Sequence, residues 1–349
     1  MKATRLGLMG FGRIGRDLFR LLYDAEDLRI AAICDSADPE ALEYLLKFDT
    51  LHGRFPVELS VVDGFLYIDG RQIPILPEDP KSPAVPDWKA LGVEVVVEAT
   101  GAPRTRERVE QHLAHGAKRV FLCVPLEGPG PDATIVMGVN DHELKPEHKI
   151  VANSSCTAHC AGPIVKILHQ AFGIERAFLS TVHAYSNKQR LADVPDSDKR
   201  RGRAAAENII PQATEAAERV AELVPELAGK IHGLAMNVPV ANGSLVDLVC
   251  WHRQPVTVKA INEVVRTAAS ASYRGIVDYE EEPIVSSDIL LSPYSATFDA
   301  QSTMVMGDKF SKTIAWFDNS WGYTHRLIEL IRKAVSLDRL AAATQKEVA

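Results

Sequence analysis

No stretch of this 349-residue chain approaches the roughly 20 consecutive apolar residues of a membrane span, so a membrane role is not expected. Cysteine is scarce. The five present are an odd number without a regular framework, which excludes a disulfide-built scaffold and fits a reducing, cytoplasmic setting. Cys156 and Cys160 are the only close pair and no second pair completes a zinc set, so no metal is expected. Positive charge is also in deficit. With 39 Lys and Arg against 46 Asp and Glu, the net charge is −7, and nucleic-acid binding, which rests on clustered cations, is excluded as a default. Internal repeats and low-complexity tracts are missing. Met1-Lys2-Ala3-Thr4-Arg5 leads directly into an apolar stretch with no small-residue cleavage site, which argues against a signal peptide.

What is present is ordinary in amount and specific in arrangement. The length suffices for two domains, each with its own core. In the first half, short apolar runs alternate with amphipathic segments. Leu6 to Met9, Leu28 to Ile33, Val93 to Glu98 and Arg119 to Val124 read as strands. Arg13 to Tyr23 and Thr105 to His115 read as helices. This rhythm predicts a largely parallel sheet covered on both faces. Beyond residue 156 the strand candidates alternate more: Phe178 to His183, Leu234 to Val238, Ser244 to Trp251, Met304 to Met306 and Thr313 to Phe317. Helical segments intervene near Ala213 to Leu223 and Val258 to Ser270, which predicts α+β character around an antiparallel sheet. A last amphipathic helix is expected from Tyr323 to about Val335. Residues 185 to 207 form a long polar loop, and loops of that length inside compact domains are usually functional.

Two motifs carry chemistry. Gly10-Phe11-Gly12-Arg13-Ile14-Gly15 follows a strand and opens a helix. There the glycines permit a tight turn, close approach of a pyrophosphate and packing of helix on strand. Asp35 ends the next strand, 20 residues beyond Gly15, where a carboxylate accepts both ribose hydroxyls and repels a 2′-phosphate. That pattern predicts NAD rather than NADP. The second motif is Asn153-Ser-Ser-Cys-Thr-Ala-His-Cys160. Apolar residues at 161, 164, 165 and 168 put Cys156 in the first turn of a helix, where unpaired N–H groups and the helix dipole favour a thiolate. Thr181-Val-His-Ala-Tyr185 supplies a base in His183, so the pair predicts covalent catalysis through a thio-intermediate.

With these pieces placed, the chain resembles the phosphorylating glyceraldehyde-3-phosphate dehydrogenase family along nearly its whole length. Further matches come in order: Asp49-Thr-Leu-His-Gly53, Val97-Glu-Ala-Thr-Gly101, Asp132-Ala-Thr-Ile-Val-Met-Gly-Val-Asn140, Ala206-Glu-Asn-Ile-Ile-Pro211 and Trp316-Phe-Asp-Asn-Ser-Trp-Gly-Tyr323. The resemblance implies an α/β Rossmann cofactor domain over 1–153, completed by a C-terminal helix at 321–349. It implies an α+β catalytic domain with a mainly antiparallel sheet over 154–320. It also implies a cytoplasmic homotetramer in which the 185–207 loop lines a neighbouring subunit's cofactor pocket. The implied glycolytic reaction joins NAD, glyceraldehyde 3-phosphate and inorganic phosphate, with Cys156 as nucleophile and His183 as base. Gly10, Gly12, Arg13, Ile14, Gly15, Asp35 and Thr100 would hold the cofactor, Asn319 its carboxamide, and Tyr323 would pack nearby. Ser155, Thr157, Ser186, Lys188, Arg201, Thr214 and Asn237 fall at substrate- and phosphate-binding positions.

The chain departs from the family's pattern at both anion pockets. Asn237 stands where a phosphate-binding arginine is expected, and losing such a contact typically costs about 1.5–3 kcal/mol. Lys188 is either a replacement charge or a solvated loop lysine. Glu215 replaces a glycine after Thr214. Pointing inward it would repel phosphate; in the first turn of a following helix it would suit the dipole, or pair with Arg201 or Arg203. Ala158, His159 and Ser320 also differ from the family's usual residues. Two alternatives follow from these departures: the same chemistry on another aldehyde such as erythrose 4-phosphate, or an NAD-binding regulatory paralogue.

Overall fold

The apolar runs of the first half form strands that lie side by side, mostly in parallel, as their both-face burial requires. The computed structural model describes residues 3–78, 84–187 and 189–348. The chain divides into two units: Met1–Ile135 with His142–Asn153 and Leu327–Ala349, and Val136–Asp141 with Ser154–Arg326.

In the first unit the strands are β1 (Thr4–Met9), β2 (Leu28–Asp35), β3 (Leu59–Val62), β4 (Phe65–Ile68), β5 (Arg71–Pro77), β6 (Val95–Glu98), β7 (Arg119–Leu122), β8 (Ala133–Thr134) and β9 (Ile150–Ala152). Helices α1 (Arg13–Leu22), α2 (Pro39–Lys47) and α3 (Arg106–Ala114) intervene. The sheet order is β8-β9-β7-β6-β1-β2-β5-β4-β3. From β5 to β9 all pairings are parallel, whereas β3, β4 and β5 form an antiparallel meander. The order reverses between β1 and β6, and in doubly wound sheets ligands bind in the crevice outside the carboxyl ends at that point. This is the Rossmann arrangement the resemblance implied; the meander was not legible in the alternating rhythm. Behind it lies a core of Met9, Ala32, Val96, Val120 and the fully buried Trp88. Gly7 in the middle of β1 makes room for that indole, which lies 2.6 Å from where a Cβ would stand.

In the second unit the strands are β10 (Ile174–Ala184), β11 (Ile210–Gln212), β12 (Ile231–Val238), β13 (Ser244–His252), β14 (Val277–Glu280), β15 (Ala296–Met306) and β16 (Phe310–Phe317). They order as β11-β12-β10-β13-β16-β15-β14. Only β10–β12 and β14–β15 pair in parallel, so the sheet is mainly antiparallel, as expected. Helices α4 (Cys156–Phe172), α5 (Ala216–Leu223) and α6 (Val258–Ser270) cover one face, burying Ile164, Val165, Leu168, Val220, Ile261 and Val265 against Leu179, Val246 and Phe298. Helix α7 (Trp321–Val348) runs past the end near residue 335 that the apolar pattern suggested and over the span 321–349 that the resemblance implied, since Leu, Ala, Gln, Lys and Glu beyond 335 are strong helix formers.

Candidate active site

The first unit presents its glycine-rich turn at the switch point. Gly10 adopts φ +87°, and a Cβ there would lie 2.6–2.7 Å from the backbone of Ala99 and Thr100. Gly15 packs as tightly, 2.4 Å from the carbonyl of Gly10. Gly12 is different: among the described residues no atom lies within 4 Å of its Cβ position and no side chain caps α1, whose cap is Gly12 itself. Close approach of a ligand to the backbone at Gly12 is therefore unobstructed, as a pyrophosphate at a helix N-terminus requires. Asp35 accepts the Phe11 N–H through Oδ2 at 2.6 Å and the Ala37 N–H through Oδ1 at 2.9 Å. These bonds fix the carboxylate and leave each oxygen another lone-pair site for a ribose hydroxyl. Thr100 is anchored by its N–H and hydroxyl to the buried Glu98. On these observations the residues fit a dinucleotide.

The second unit carries the reactive pair. α4 begins at Cys156, with Ser155 as its cap accepting the Ala158 N–H at 3.1 Å. Ser154 before it sits at φ +47°, a left-handed conformation that turns the chain sharply into the helix. Cys156 Sγ lies 3.8 Å from His183 Nε2 near the end of β10. His183 Nδ1 is 2.6 Å from the carbonyl of Ala184, and a carbonyl only accepts. Nδ1 therefore carries the proton, and in the neutral ring Nε2 presents its lone pair to the thiol. Burial alone would raise the Cys156 thiol, but the hydrogen bond and charge of His183, with the Thr157 N–H and hydroxyl, outweigh it and hold the thiol below its ordinary value. Burial wins at the other cysteines with resolved shifts: Cys34 is pushed up to about 12, and Cys160 and Cys250 are raised as well. Cys156 is thus the cysteine built for reactivity.

Asn319 lies against this pair. Its Nδ2 is 3.3 Å from both ring nitrogens of His183, and its Oδ1 accepts the Ser244 hydroxyl at 2.8 Å. Tyr323 is buried, edge-on to His159 with ring centroids 5.8 Å apart. The carboxylate of Asp318 takes the N–H groups of Ser320 and Trp321 at 2.8 and 2.7 Å, capping α7, and Asn242 donates to its other oxygen at 2.8 Å. Ser244 also receives the Ala184 N–H at 2.9 Å, so one hydroxyl braces both Asn319 and the strand end that carries His183. Sequence reasoning missed Asn242, Ser244 and Asp318. An acid three residues before a helix was a readable cap signal for Asp318; Asn242 and Ser244 act over more than 70 residues and had no local signal.

The proposed anion-binding residues are more scattered. Thr157 is buried beside Cys156, and Ser155 and Thr214 use their oxygens to accept backbone N–H groups, leaving their hydroxyl protons to donate. Ser186 spends its hydroxyl on Gln189 at 2.9 Å. Arg201 is turned to Asp198 at 3.5 Å, and Lys188 lies outside the described residues. Asn237 pairs with His183 across β10 and β12, is buried, and donates at 3.4 Å to the Ala184 carbonyl that also receives the His183 Nδ1–H. Glu215 points outward, its side chain 80% exposed. It pairs with Arg219 at 3.2 Å rather than with Arg201 or Arg203, because Arg219 lies one helical turn along. Arg203 instead takes Asp193 at 3.1 Å. Among the described residues no group of three or more His, Cys, Asp and Glu is placed to hold a metal, and no helix is long and apolar enough to cross a membrane.

Comparison with known proteins adds a second line. The family profile for the glyceraldehyde 3-phosphate dehydrogenase NAD binding domain matches residues 4–106, and that for the C-terminal domain matches residues 155–319. The glyceraldehyde-3-phosphate dehydrogenase of Geobacillus stearothermophilus is 45% identical over 330 residues, 94% of this chain and 97% of the relative. Glyceraldehyde-3-phosphate dehydrogenase 2 of Bacillus subtilis is 43% identical over 330 residues, covering 94% and 96%. The Streptomyces coelicolor enzyme of the same name is 44% identical over 329 residues, covering 93% and 97%.

Proposed function

This chain belongs to the glyceraldehyde-3-phosphate dehydrogenase family, and on that premise we propose how its residues carry the reaction. The protein is an NAD-dependent enzyme that oxidises the aldehyde of glyceraldehyde 3-phosphate. Neither erythrose 4-phosphate nor a purely regulatory role is favoured, since these curated relatives carry this one activity in their names. In the mechanism we propose, the Cys156 thiol loses its proton to His183 Nε2 and sulfur adds to the aldehyde carbon. The resulting alkoxide is protonated to a hemithioacetal, with the His183 N–H as donor. NAD, when bound, supplies the hydride acceptor that converts the hemithioacetal into a thioester. His183 takes the hydroxyl proton in that conversion. Inorganic phosphate then attacks the thioester carbon and expels the Cys156 thiolate, which the imidazolium stabilises. Gly10, Gly12, Arg13, Ile14, Gly15, Asp35 and Thr100 hold the dinucleotide, with Asn319 assigned to its carboxamide and Tyr323 packing nearby. Ser155, Thr157, Thr214, Ser186, Arg201 and Asn237 are assigned to the anions.

The observation that carries this reading is the 3.8 Å approach of Cys156 to a His183 whose tautomer is set by a backbone carbonyl. Its test is NADH formation from glyceraldehyde 3-phosphate. Rates that are equal with and without phosphate or arsenate would refute the phosphorylating step, and full activity in Cys156→Ala would refute the thioester. The implied homotetramer and cytoplasmic setting remain part of the proposal. Supporting association, the sheet face of the second unit opposite its helices exposes Phe178, Leu234, Trp251, Met304 and Met306, an apolar surface of the kind subunits cover. A monomeric mass in sedimentation at micromolar concentration would overturn it.

A further inference from the structure

Across the carboxyl edge of the parallel sheet runs a cluster of charges that the reaction does not use. Asp35 ends β2; Pro77, its partner residue, ends β5, and Glu78 follows with its N–H on the Asp35 carbonyl at 2.8 Å. Arg104 reaches over the edge, with Nη2 at 3.1 Å from Glu78 Oε1 and Nε at 3.4 Å from Glu98 Oε2. Arg108 approaches Glu78 Oε1 at 3.8 Å. The side chains of Glu78, Arg104 and Arg108 are 8%, 17% and 13% exposed, so the ion pairs are shielded from solvent yet border it. Burial holds the Glu78 carboxyl above its ordinary value; Arg104 and Arg108 pull against it, and Glu98 and Asp35 add to it.

We propose that Glu78 is a second determinant of cofactor choice, acting with Asp35 to exclude a ribose 2′-phosphate. The inference rests on the reading of the Gly10–Gly15 turn and Asp35 as the NAD site. Its logic is charge balance. Asp35, Glu78 and Glu98 against Arg104 and Arg108 sum to one negative charge at the adenosine end. Glu78 shares Arg104 with Glu98 and Arg108 with Gln111, and its carboxylate offsets the positive charge that a phosphate would meet there, since Arg is the side chain whose fork matches phosphate oxygens. Without the Glu78 charge the cluster becomes neutral: Arg104 stays on Glu98 at 3.4 Å and Arg108 keeps Gln111 at 3.2 Å, so repulsion of a 2′-phosphate is removed while both guanidinium groups stay in place. Asp35 would accept ribose hydroxyls directly, whereas Glu78 would act through the charge it sets against the arginines.

The test is direct binding of NADH and NADPH to the full-length protein, followed by calorimetry, which requires no aldehyde and no turnover. Glu78→Gln keeps the shape and a hydrogen-bond acceptor for Arg104. It should tighten NADPH relative to NADH by about tenfold or more, while the Kd for NADH changes by less than about threefold. Adding Arg108→Gln to Glu78→Gln should remove most of that gain. Glu78→Ser serves as a second route to the same charge change if the amide variant is poorly folded, and the gain in either variant should shrink as salt is raised. An unchanged NADPH-to-NADH ratio in a folded variant would overturn the proposal, as would a gain that survives loss of Arg108 and high salt. The outcomes separate cleanly. A wild-type protein that fails to bind NADH overturns the nucleotide-site reading and this inference with it. One that binds NADH but shows no change in Glu78→Gln overturns this inference alone.

Discussion

Replacing His183 with Gln removes the imidazole while keeping most of its volume, and the consequence for Cys156 follows from the geometry. A thiolate and an imidazolium 3.8 Å apart attract by about 4 kcal/mol at an effective dielectric near 20. Water or the Gln amide recovers part of this, so the net loss lies at about 2–4 kcal/mol. The sign is fixed: the lost interaction favours the charged form, while burial, which disfavours it, remains. The thiolate population at neutral pH therefore falls by about 30- to 1000-fold, at 1.36 kcal/mol per tenfold. A more basic thiolate is also a better nucleophile, with a Brønsted slope of about 0.4–0.5, which returns part of the rate. Alkylation of Cys156 by iodoacetamide at neutral pH should then slow by about 5- to 60-fold. The pH profile should move to higher pH, and above both midpoints the variant should react faster than the wild type. Mass spectrometry of the peptide bearing Cys156 reads the rate at each pH. That crossing is the diagnostic. Equal rates at neutral pH, or a profile displaced to lower pH, would refute the assignment of His183 as the group that activates the thiol.

The glycines of the nucleotide turn should separate into two classes. Gly10→Ala meets backbone at 2.6–2.7 Å at φ +87° and should lose about 2–5 kcal/mol in chemical denaturation. Gly12→Ala meets no protein atom and should unfold like the wild type while losing NADH affinity in titration; unchanged affinity would mean that no ligand fills that space. Glu215→Ala removes an exposed pair with Arg219, so the KM for phosphate should stay within about twofold; a fall of about 100-fold would show that the carboxylate does reach the anion. Asn237→Arg should raise the preference of kcat/KM for glyceraldehyde 3-phosphate over unphosphorylated glyceraldehyde by about 10- to 150-fold, the equivalent of a charge-assisted contact, and an unchanged ratio would remove this position from the substrate pocket.

Those predictions rest on features of unequal legibility. The Gly10 turn and the helix start at Cys156 could be read because both are local. Gly10, Gly12 and Gly15 lie within six residues, and the apolar spacing after Cys156 sets the helical phase. The antiparallel meander of β3 to β5 escaped because its strands interrupt a βαβ rhythm that otherwise predicts a helix between strands. The outward turn of Glu215 was one of two readings open from sequence. What decided it is the start of α5, which leaves the carboxylate at the cap and Arg219 one turn away. The bracing of Asn319 and the Ala184 N–H by Ser244 depends on β13 lying next to both β10 and β16, a pairing that no short window of sequence contains.

Asn237, proposed for the substrate pocket, is joined to His183, the proposed base, through one backbone carbonyl. Asn237 and His183 face each other across parallel strands, and the Ala184 carbonyl receives both the Asn237 amide at 3.4 Å and the His183 Nδ1–H at 2.6 Å. An arginine here would place its guanidinium beyond the carbonyl, toward an anion, and would leave the His183 hydrogen bond as the principal side-chain claim on that oxygen. The asparagine instead keeps a neutral donor on the strand and adds no charge beside an imidazole that must gain a proton during the reaction. A nearby cation would disfavour that protonation while favouring the thiolate 3.8 Å from the ring, so its two effects on the pair oppose each other. In Asn237→Arg, the pH profile of Cys156 alkylation, read beside the preference for the phosphorylated aldehyde, separates a charge that acts only on the substrate from one that also acts on the His183–Cys156 pair.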